Sequence, residues 1–340
     1  MRVLLTRLSA FGDIVHTWPL AEALTRGEPP VQLAWAVEEA FVPLIAGHPS
    51  VSCVIPIATR RWRRRPFDAA TRREFRHTRD AMRGFAPEVV IDPQGLMKSA
   101  AWGLLSGAPE RVGLARSHRR ELPAGVTYTR TVAPPLEARH VVDINLSLSA
   151  AVGKTARFGG VPDAGFLLGS ASHGAPGPAV GSVALVPATG GRGKEWPAES
   201  YALLARKLTA AGTPVVVVWG PGERALAQSV VASAGDGTTL TPPTSIPELA
   251  LLMSTCAAVV GGDTGPVHLA AALGVPTVAI FIATEPERNG PRGARAITVS
   301  AARGPARRGS ARSSLGGDVE VAEVLAALKG LLDGARPGAS

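Results

Sequence analysis

Short apolar runs, set apart by loops of glycine, proline and charged residues, give this chain its rhythm. Residues 2–8 (RVLLTRL), 31–37 (VQLAWAV), 51–57 (VSCVIPI) and 89–92 (VVID) are mostly β-branched or leucine-rich, and segments between them have helical spacing. The pattern restarts at residues 182–187 (SVALVP), 213–219 (TPVVVVW) and 275–281 (VPTVAIF), with a further apolar run ending at Val259-Val260. Runs apolar on every position suit strands of a parallel sheet buried on both faces. Strands alternating with helices predict a doubly wound α/β architecture, here twice over. Residues 153–181 are rich in Gly, Pro, Ala and Ser, and 165–181 are the most linker-like part. We therefore expect an N-terminal Rossmann-like domain over residues 1–170, a C-terminal one over 180–316, and a helix within 317–335 that could pack back across the domains.

The most informative stretch is residues 261–281, GGDTGPVHLAAALGVPTVAIF. It reads as a tight glycine turn, a helix over 267–273 and a buried strand. Asp263 and Thr264 suit a helix start, and Pro266 is tolerated in the first turn, where its missing N–H is not needed. A helix start with open N–H groups and a positive dipole end favours a diphosphate. Taken singly, Asp263 and Thr264 could merely cap a core helix, and His268 could be a core histidine. Other strand ends carry comparable chemistry. Ligands of open parallel sheets bind beyond the carboxyl ends of the strands, which puts Asp13, in the loop before a helix over 14–24, at the mouth of any crevice, although it also fits an N-cap. Residues 92–100 (DPQGLMKSA) bring Gln94, Lys98 and Ser99 to a similar strand end. The glycine-rich loop of residues 188–197 contains Thr189 and Lys194 and could approach a phosphate, without being a Walker A sequence. Glu223 could accept from ribose hydroxyls or simply start a helix.

Composition narrows the function classes. With 340 residues, 46% hydrophobic and 19% charged, the chain is globular and long enough for two cores. No apolar run reaches the ~20 residues of a membrane span, and the N-terminal run is too short for a signal peptide, so a cytoplasmic protein is expected. Cys53 and Cys256 match no metal or redox spacing and read as buried thiols. A net charge of +9 calls for a polyanion: nucleic acid, anionic lipid or a phosphorylated substrate. The densest charge is Arg60-Arg61-Trp62-Arg63-Arg64-Arg65, followed by a basic helical stretch over 71–83. Arginine forks bind phosphate and carboxylate bidentately, so we read an anion site there, with Trp62 stacking on a sugar or base or packing beneath the loop. Aromatics are sparse and no nucleic-acid motif is present, so no nucleic-acid partner is expected.

Collected in order, these stretches resemble GT-B glycosyltransferases, and more narrowly the ADP-heptose:lipopolysaccharide heptosyltransferases of glycosyltransferase family 9. The resemblance is carried by RVLL of residues 2–5 with GDIVHT of 12–17, VEEAF of 37–41, VIPI of 54–57 with RRWR of 60–63, IDPQGLMKSA of 91–100, KEWP of 194–197, and DTG of 263–265 with His268. It implies two Rossmann-like domains facing an interdomain cleft. It also implies inverting transfer of L-glycero-D-manno-heptose from ADP-heptose to a Kdo residue of Kdo2-lipid A, in lipopolysaccharide inner-core synthesis. No cofactor and no obligatory metal are implied. Carried over by position, Asp13 becomes the general base, and Thr189, Lys194 and the N–H groups of Thr264 and Gly265 hold the ADP diphosphate. Asp263 binds heptose hydroxyls, Glu223 the ribose, and His268 supports the donor pocket. Arg60, Arg61, Arg63 and Arg64, with Gln94 and Lys98, receive the acceptor. A lipid-linked acceptor implies a peripheral enzyme at the anionic inner face of the cytoplasmic membrane. Departures are Arg7 where the family commonly has lysine, Gly190 where it often has a hydroxyl residue, Ile282-Ala283-Thr284-Glu285-Pro286 in place of a glycine-proline-threonine-aspartate-proline pattern, and a tail after Ala301 that does not match. Two alternatives stay open: a related transferase with another acceptor, such as an outer-core sugar or a protein, and a nonenzymatic polyanion-binding protein.

Overall fold

A computed structural model of the chain describes residues 1–170, 180–190, 193–301 and 319–333. The middle of the linker, Gly191-Arg192 of the glycine-rich loop and the arginine-rich tail from 302 to 318 lie outside the described residues. The chain divides into two units, Met1–Pro162 and Asp163–Ser340. The division falls ahead of the linker-like stretch because residues 163–170 are tied to the second unit: the Ala164 N–H donates to the Ala272 carbonyl at 3.1 Å.

The first unit runs β1 (Arg2–Thr6), α1 (Phe11–Val15), α2 (Trp18–Thr25), β2 (Gln32–Glu38), β3 (Cys53–Ile57), α3 (Thr59–Trp62), α4 (Ala69–Phe85), β4 (Val89–Asp92), α5 (Met97–Leu105), β5 (Glu110–Leu114), β6 (Arg130–Val132) and α6 (Val141–Leu146). Its six strands lie in the order β3-β2-β1-β4-β5-β6, and every pairing is parallel. Val3, Leu4 and Leu5 of β1 and Ile91 of β4 are fully buried, which is why these runs carry no alternating polar positions. The helix expected over 14–24 is two helices: Thr17 Oγ1 closes on the Asp13 carbonyl at 2.7 Å, and α2 restarts with proline in its first turn. The arginine-rich segment 111–120 opens within β5. Arg111 does not prevent the strand because its guanidinium donates to the Thr127 and Ala108 carbonyls, each at 2.7 Å. Cys53 is exposed on β3, a sheet-edge strand, and only Cys256 is buried.

The second unit runs β7 (Val183–Val186), α7 (Ala198–Ala210), β8 (Val215–Val217), α8 (Arg224–Ala234), β9 (Thr238–Leu240), α9 (Ile246–Thr255), β10 (Ala258–Gly262), α10 (Gly265–Ala272), β11 (Thr277–Phe281), α11 (Pro286–Asn289), β12 (Ala296–Ser300) and α12 (Val321–Asp333). The sheet order β12-β11-β10-β7-β8-β9 is also parallel throughout. Counted within its own unit, this is the same order as in the first, the one that dinucleotide-binding sheets share. The C-terminal helix α12 packs in the second unit's own core: Val321, Val324 and Leu328 join the cluster around Val260 and Ile280. Trp196 Nε1 fastens its approach by donating to the Val319 carbonyl at 2.8 Å. In each sheet the order in which successive strands are added reverses between two central, parallel strands, β1 and β4 in the first and β7 and β10 in the second. Crevices for ligands open beyond the carboxyl ends at such points.

Candidate active site

At the switch point of the first sheet, the loop after β1 presents Asp13. Its Oδ1 lies 2.8 Å from Arg7 Nη2 and 3.3 Å from Arg120 Nη2, and its Oδ2 accepts from the Ala10 N–H at 3.3 Å. Arg7 is buried, and its Nη1 donates to the Pro93 carbonyl at 2.9 Å, so the guanidinium is anchored to the loop after β4. Burial lowers the Arg7 pKa and Asp13 opposes that shift, while an arginine so placed remains protonated. The Asp13 carboxylate is 18% exposed, enough to face a ligand from between two cations.

The loop after β4 is built on Asp92, which is buried. Its Oδ1 accepts from the Gln94 and Gly95 N–H groups at 2.9 and 3.1 Å, and its Oδ2 from Ser99 Oγ at 2.9 Å and Tyr128 Oη at 2.8 Å. Burial raises the Asp92 pKa while these donors pull it down, the net being a rise; Tyr128, buried beside a carboxylate, is pushed up as well. Gly113 on β5 is required here, since a Cβ would lie 2.1 Å from Tyr128 Cε2. Gln94 reaches the other loop: its Oε1 accepts from the Leu8 N–H at 2.8 Å, and the side chain is buried. Lys98 Nζ donates to Ser9 Oγ at 2.8 Å, and its pKa is lowered by burial, with Arg60, Arg63 and Arg7 adding to that shift against Glu38. Gln94 and Lys98 thus both brace the segment that leads to Asp13.

The arginine run divides. Arg61 is held by Glu39 through Nε at 3.2 Å and Nη2 at 3.0 Å, and by Glu74 through Nη1 at 2.6 Å. Trp62 is buried, donates to the same Glu74 at 2.8 Å and packs against Phe75 and Trp102, so it lies beneath the loop instead of offering a stacking face. Arg60, Arg63 and Arg64 are exposed, and Arg60 lies 6.0 Å from the centroid of the Phe41 ring.

At the second switch point, β10 ends in Gly261-Gly262 because its backbone runs hard against the β7 side. A Cβ on Gly261 would lie 2.8 Å from Val186 Cβ, and one on Gly262 would lie 2.4 Å from Thr189 Cγ2. Asp263 follows and gathers polar groups: Lys194 Nζ at 2.9 Å and Thr284 Oγ1 at 2.8 Å on Oδ2, and His268 Nε2 at 3.3 Å on Oδ1. Burial raises the Asp263 pKa, but the hydrogen bonds and charge of His268 and Lys194 outweigh it and hold the carboxyl far below its ordinary range. The N–H groups of Thr264 and Gly265 open α10 with no hydrogen-bond partner among the described residues, and Thr264 offers its own helix no side-chain cap. Thr189 Oγ1 is shut from solvent and unpartnered among the described residues. These donors, a lysine and a helix N-terminus converge as an anion site would require. Glu223 Oε2 accepts from the Gly220 N–H at 2.7 Å, which closes the turn after β8.

Asp13, with Gln94 and Lys98 behind it, is therefore gathered at the first switch point, and Thr189, Lys194, Asp263, Thr264, Gly265 and His268 at the second. Arg120, Tyr128 and Thr284 complete these clusters without having been singled out from sequence. Arg120 lay within the basic segment 111–120, and Thr284 within the altered segment after β11, but nothing in their spacing pointed at Asp13 or Asp263.

The Pseudomonas aeruginosa protein named lipopolysaccharide heptosyltransferase 1 is 32% identical over 296 residues, 86% of this chain and 82% of that one. The Salmonella typhimurium protein of the same name is 32% identical over 292 residues, 84% of this chain and 90% of that one. The solved structure of the E. coli heptosyltransferase WaaC with ADP matches with a TM-score of 0.81 at 27% identity, covering 97% of this chain and 100% of that one. Two Rossmann-like units with these relatives define a glycosyltransferase of the GT-B class. The model of glycosyltransferase family 9 (heptosyltransferase) matches residues 75–317, and the chain belongs to that family.

Proposed function

We propose that this enzyme moves L-glycero-D-manno-heptose from ADP-heptose to a Kdo residue of Kdo2-lipid A, with inversion at the anomeric carbon. The observation that carries the reading is the complementary chemistry of the two switch points: a carboxylate between cations at one, and a lysine beside an open helix start at the other. The donor named in the solved relatives, ADP and an ADP-heptose analogue, supports the second assignment.

In this reading Asp13 takes the proton of the attacking Kdo hydroxyl, the oxygen bonds to the anomeric carbon from the face opposite ADP, and the bond to the β-phosphate breaks. Lys194, Thr189 and the N–H groups of Thr264 and Gly265 stabilise the charge that develops on the departing diphosphate. Asp263, ionised and oriented by Lys194, His268 and Thr284, accepts from heptose hydroxyls, and Glu223 accepts from the ribose with the oxygen that Gly220 leaves open. Arg60, Arg63 and Arg64 meet the anionic groups of the acceptor. Arg61, already clasped by two glutamates, serves by bracing α3, and Gln94 and Lys98 serve through the loop that carries Asp13. No cofactor or metal is required, because fixed cations and dipoles meet the leaving group. The net charge of +9 draws the enzyme to the inner face of the cytoplasmic membrane as a peripheral protein, and no helix among the described residues is long and apolar enough to cross a membrane.

The test is mass-spectrometric detection of product from ADP-heptose and Kdo2-lipid A, with a chelator in a parallel tube. A product heavier by one heptose in both tubes is expected. No product while ADP-heptose still binds would point to another acceptor, and loss of product only with chelator would overturn metal independence.

A further inference from the structure

The two arginines on Asp13 converge on one oxygen, Oδ1, at 2.8 Å for Arg7 and 3.3 Å for Arg120. Two guanidinium groups on one oxygen repel each other, and the Arg120 charge works against protonation of Arg7. The Arg120 side chain is 49% exposed, so an ion pair by itself would hold it only weakly. Both cations are held from behind, by the loop of residues 93–95. Arg7 donates to the Pro93 carbonyl at 2.9 Å. The segment that carries Arg120 is fastened on both sides of Leu96: the Glu121 N–H donates to the Gly95 carbonyl at 2.9 Å, and Glu121 Oε2 accepts from the Met97 N–H at 2.7 Å. Gly95 takes a positive φ of 63°, and a Cβ there would lie 3.3 Å from Arg119 Cγ and from the Arg120 main-chain nitrogen. Asp92 folds this loop. Three of its donors, Gln94, Gly95 and Ser99, belong to the loop or to the first turn of α5, whereas the fourth, the Tyr128 hydroxyl, arrives from 36 positions away. The Tyr128 ring also has the Arg119 guanidinium 5.1 Å from its centroid, next to Arg120 in the chain.

We propose that Tyr128 is a positioning residue for the transfer step: by holding Asp92 it sets the loop of residues 93–95, and through that loop it sets both arginines that flank Asp13. The inference rests on Asp13 being the base, as argued above, and adds a residue whose influence on the reaction passes through two others. Its hydroxyl ties a buried carboxyl to a distant segment, and its ring steadies Arg119, so one side chain acts on the Arg7 side through Pro93 and on the Arg120 side through Gly95 and Arg119. Misplacing a reacting group by as little as about 1 Å is costly to a chemical step, while substrate binding at the second switch point does not depend on this loop.

The experiment is a double-mutant cycle on the full-length chain, with Tyr128→Phe made in the wild type and in Asp13→Asn and heptose transfer followed by mass spectrometry. Tyr128→Phe keeps the ring that lies against Gly113 and removes only the hydroxyl. In the wild type it should lower kcat about tenfold and leave the KM for ADP-heptose unchanged. In Asp13→Asn it should lower the residual rate no further, because groups that act as a unit are not additive. A loss of the same size in both backgrounds would mean a merely structural role and overturn the inference, as would an unchanged kcat in Tyr128→Phe. Gly95→Ala disturbs the Arg120 segment without touching the Asp92 carboxyl, and it should show the same pattern: a loss in the wild type that disappears in Asp13→Asn. Should Tyr128→Phe fold poorly, this second variant decides. Turnover retained in Asp13→Asn alone would remove the base and this inference with it, whereas the ordinary loss there, joined to additive losses from Tyr128→Phe and Gly95→Ala, would remove the inference and leave the base standing.

Discussion

Asp13 and Asp263 each follow a central strand, and their surroundings differ. Asp13 is held by two arginines on Oδ1 and by the Ala10 N–H on Oδ2, and its carboxylate is 18% exposed. Asp13→Asn keeps the shape and removes the base, and kcat should fall ~10²–10⁴-fold with donor affinity unchanged; steady-state kinetics with retained turnover would remove Asp13 from that role. Asp263 is encircled instead, by Lys194, His268 and Thr284, and its carboxyl is held far below the ordinary range. A carboxyl whose folded pKa lies below its unfolded one contributes stability that is present above the unfolded value near ~4 and is lost as the pH falls through the folded value. Thermal melts should show wild type more stable than Asp263→Asn at pH 7, with the gap narrowing steadily below pH ~4. A gap that does not change with pH would mean that the lost stability lies elsewhere than in the ionised carboxylate.

At the scale of elements, the loops after the central strands β1, β4, β7 and β10 carry both clusters, and their approach to one another is limited by glycine. A methyl group on Gly262 would lie 2.4 Å from Thr189 Cγ2, so Gly262→Ala must push Thr189 or the β10 end aside. Overpacking of this kind costs ~1–3 kcal/mol, and the displaced loop should also raise the KM for ADP-heptose; an unchanged melting temperature and KM would show that the loop yields at no cost. The same elements explain what could be read from the sequence. Central strands buried on both faces announce themselves as unbroken apolar runs, and the residues following them, Asp13, Lys194 and Asp263, were legible with them. The strands β6, β9 and β12 escaped because they are short or lie at sheet edges, where polar residues are tolerated, and β5 because Arg111 hides its charge by binding carbonyls of neighbouring loops. Partnerships formed across the tertiary fold were not legible either. Arg120 reaches Asp13 across 107 positions of sequence, and the division of labour between Arg61 and its neighbours depends on Glu39 and Glu74 arriving from other elements.

At the scale of the molecule, one sheet order appears twice, and the two copies carry different polar groups at equivalent places. Fold alone would not assign function to either copy, since this architecture serves many activities; the proposed assignment rests on the groups at each switch point. If the nucleotide is held by the second unit alone, its binding energy should appear in that unit's stability and in no other. A ligand that binds only the native state at a hundred times its Kd stabilises it by ~2.7 kcal/mol. Calorimetric unfolding with saturating ADP should therefore raise the transition of the second unit while leaving that of the first in place, provided the units unfold separately, as multidomain proteins often do. Lys194→Ala should shrink the shift and Asp13→Asn should leave it intact, because only the first of these residues stands beside the open start of α10. The two variants also cover the case of a single merged transition, where the size of the ADP shift still depends on Lys194 and not on Asp13. A shift that Asp13→Asn abolishes and Lys194→Ala spares would reverse the assignment of donor and acceptor to the two units.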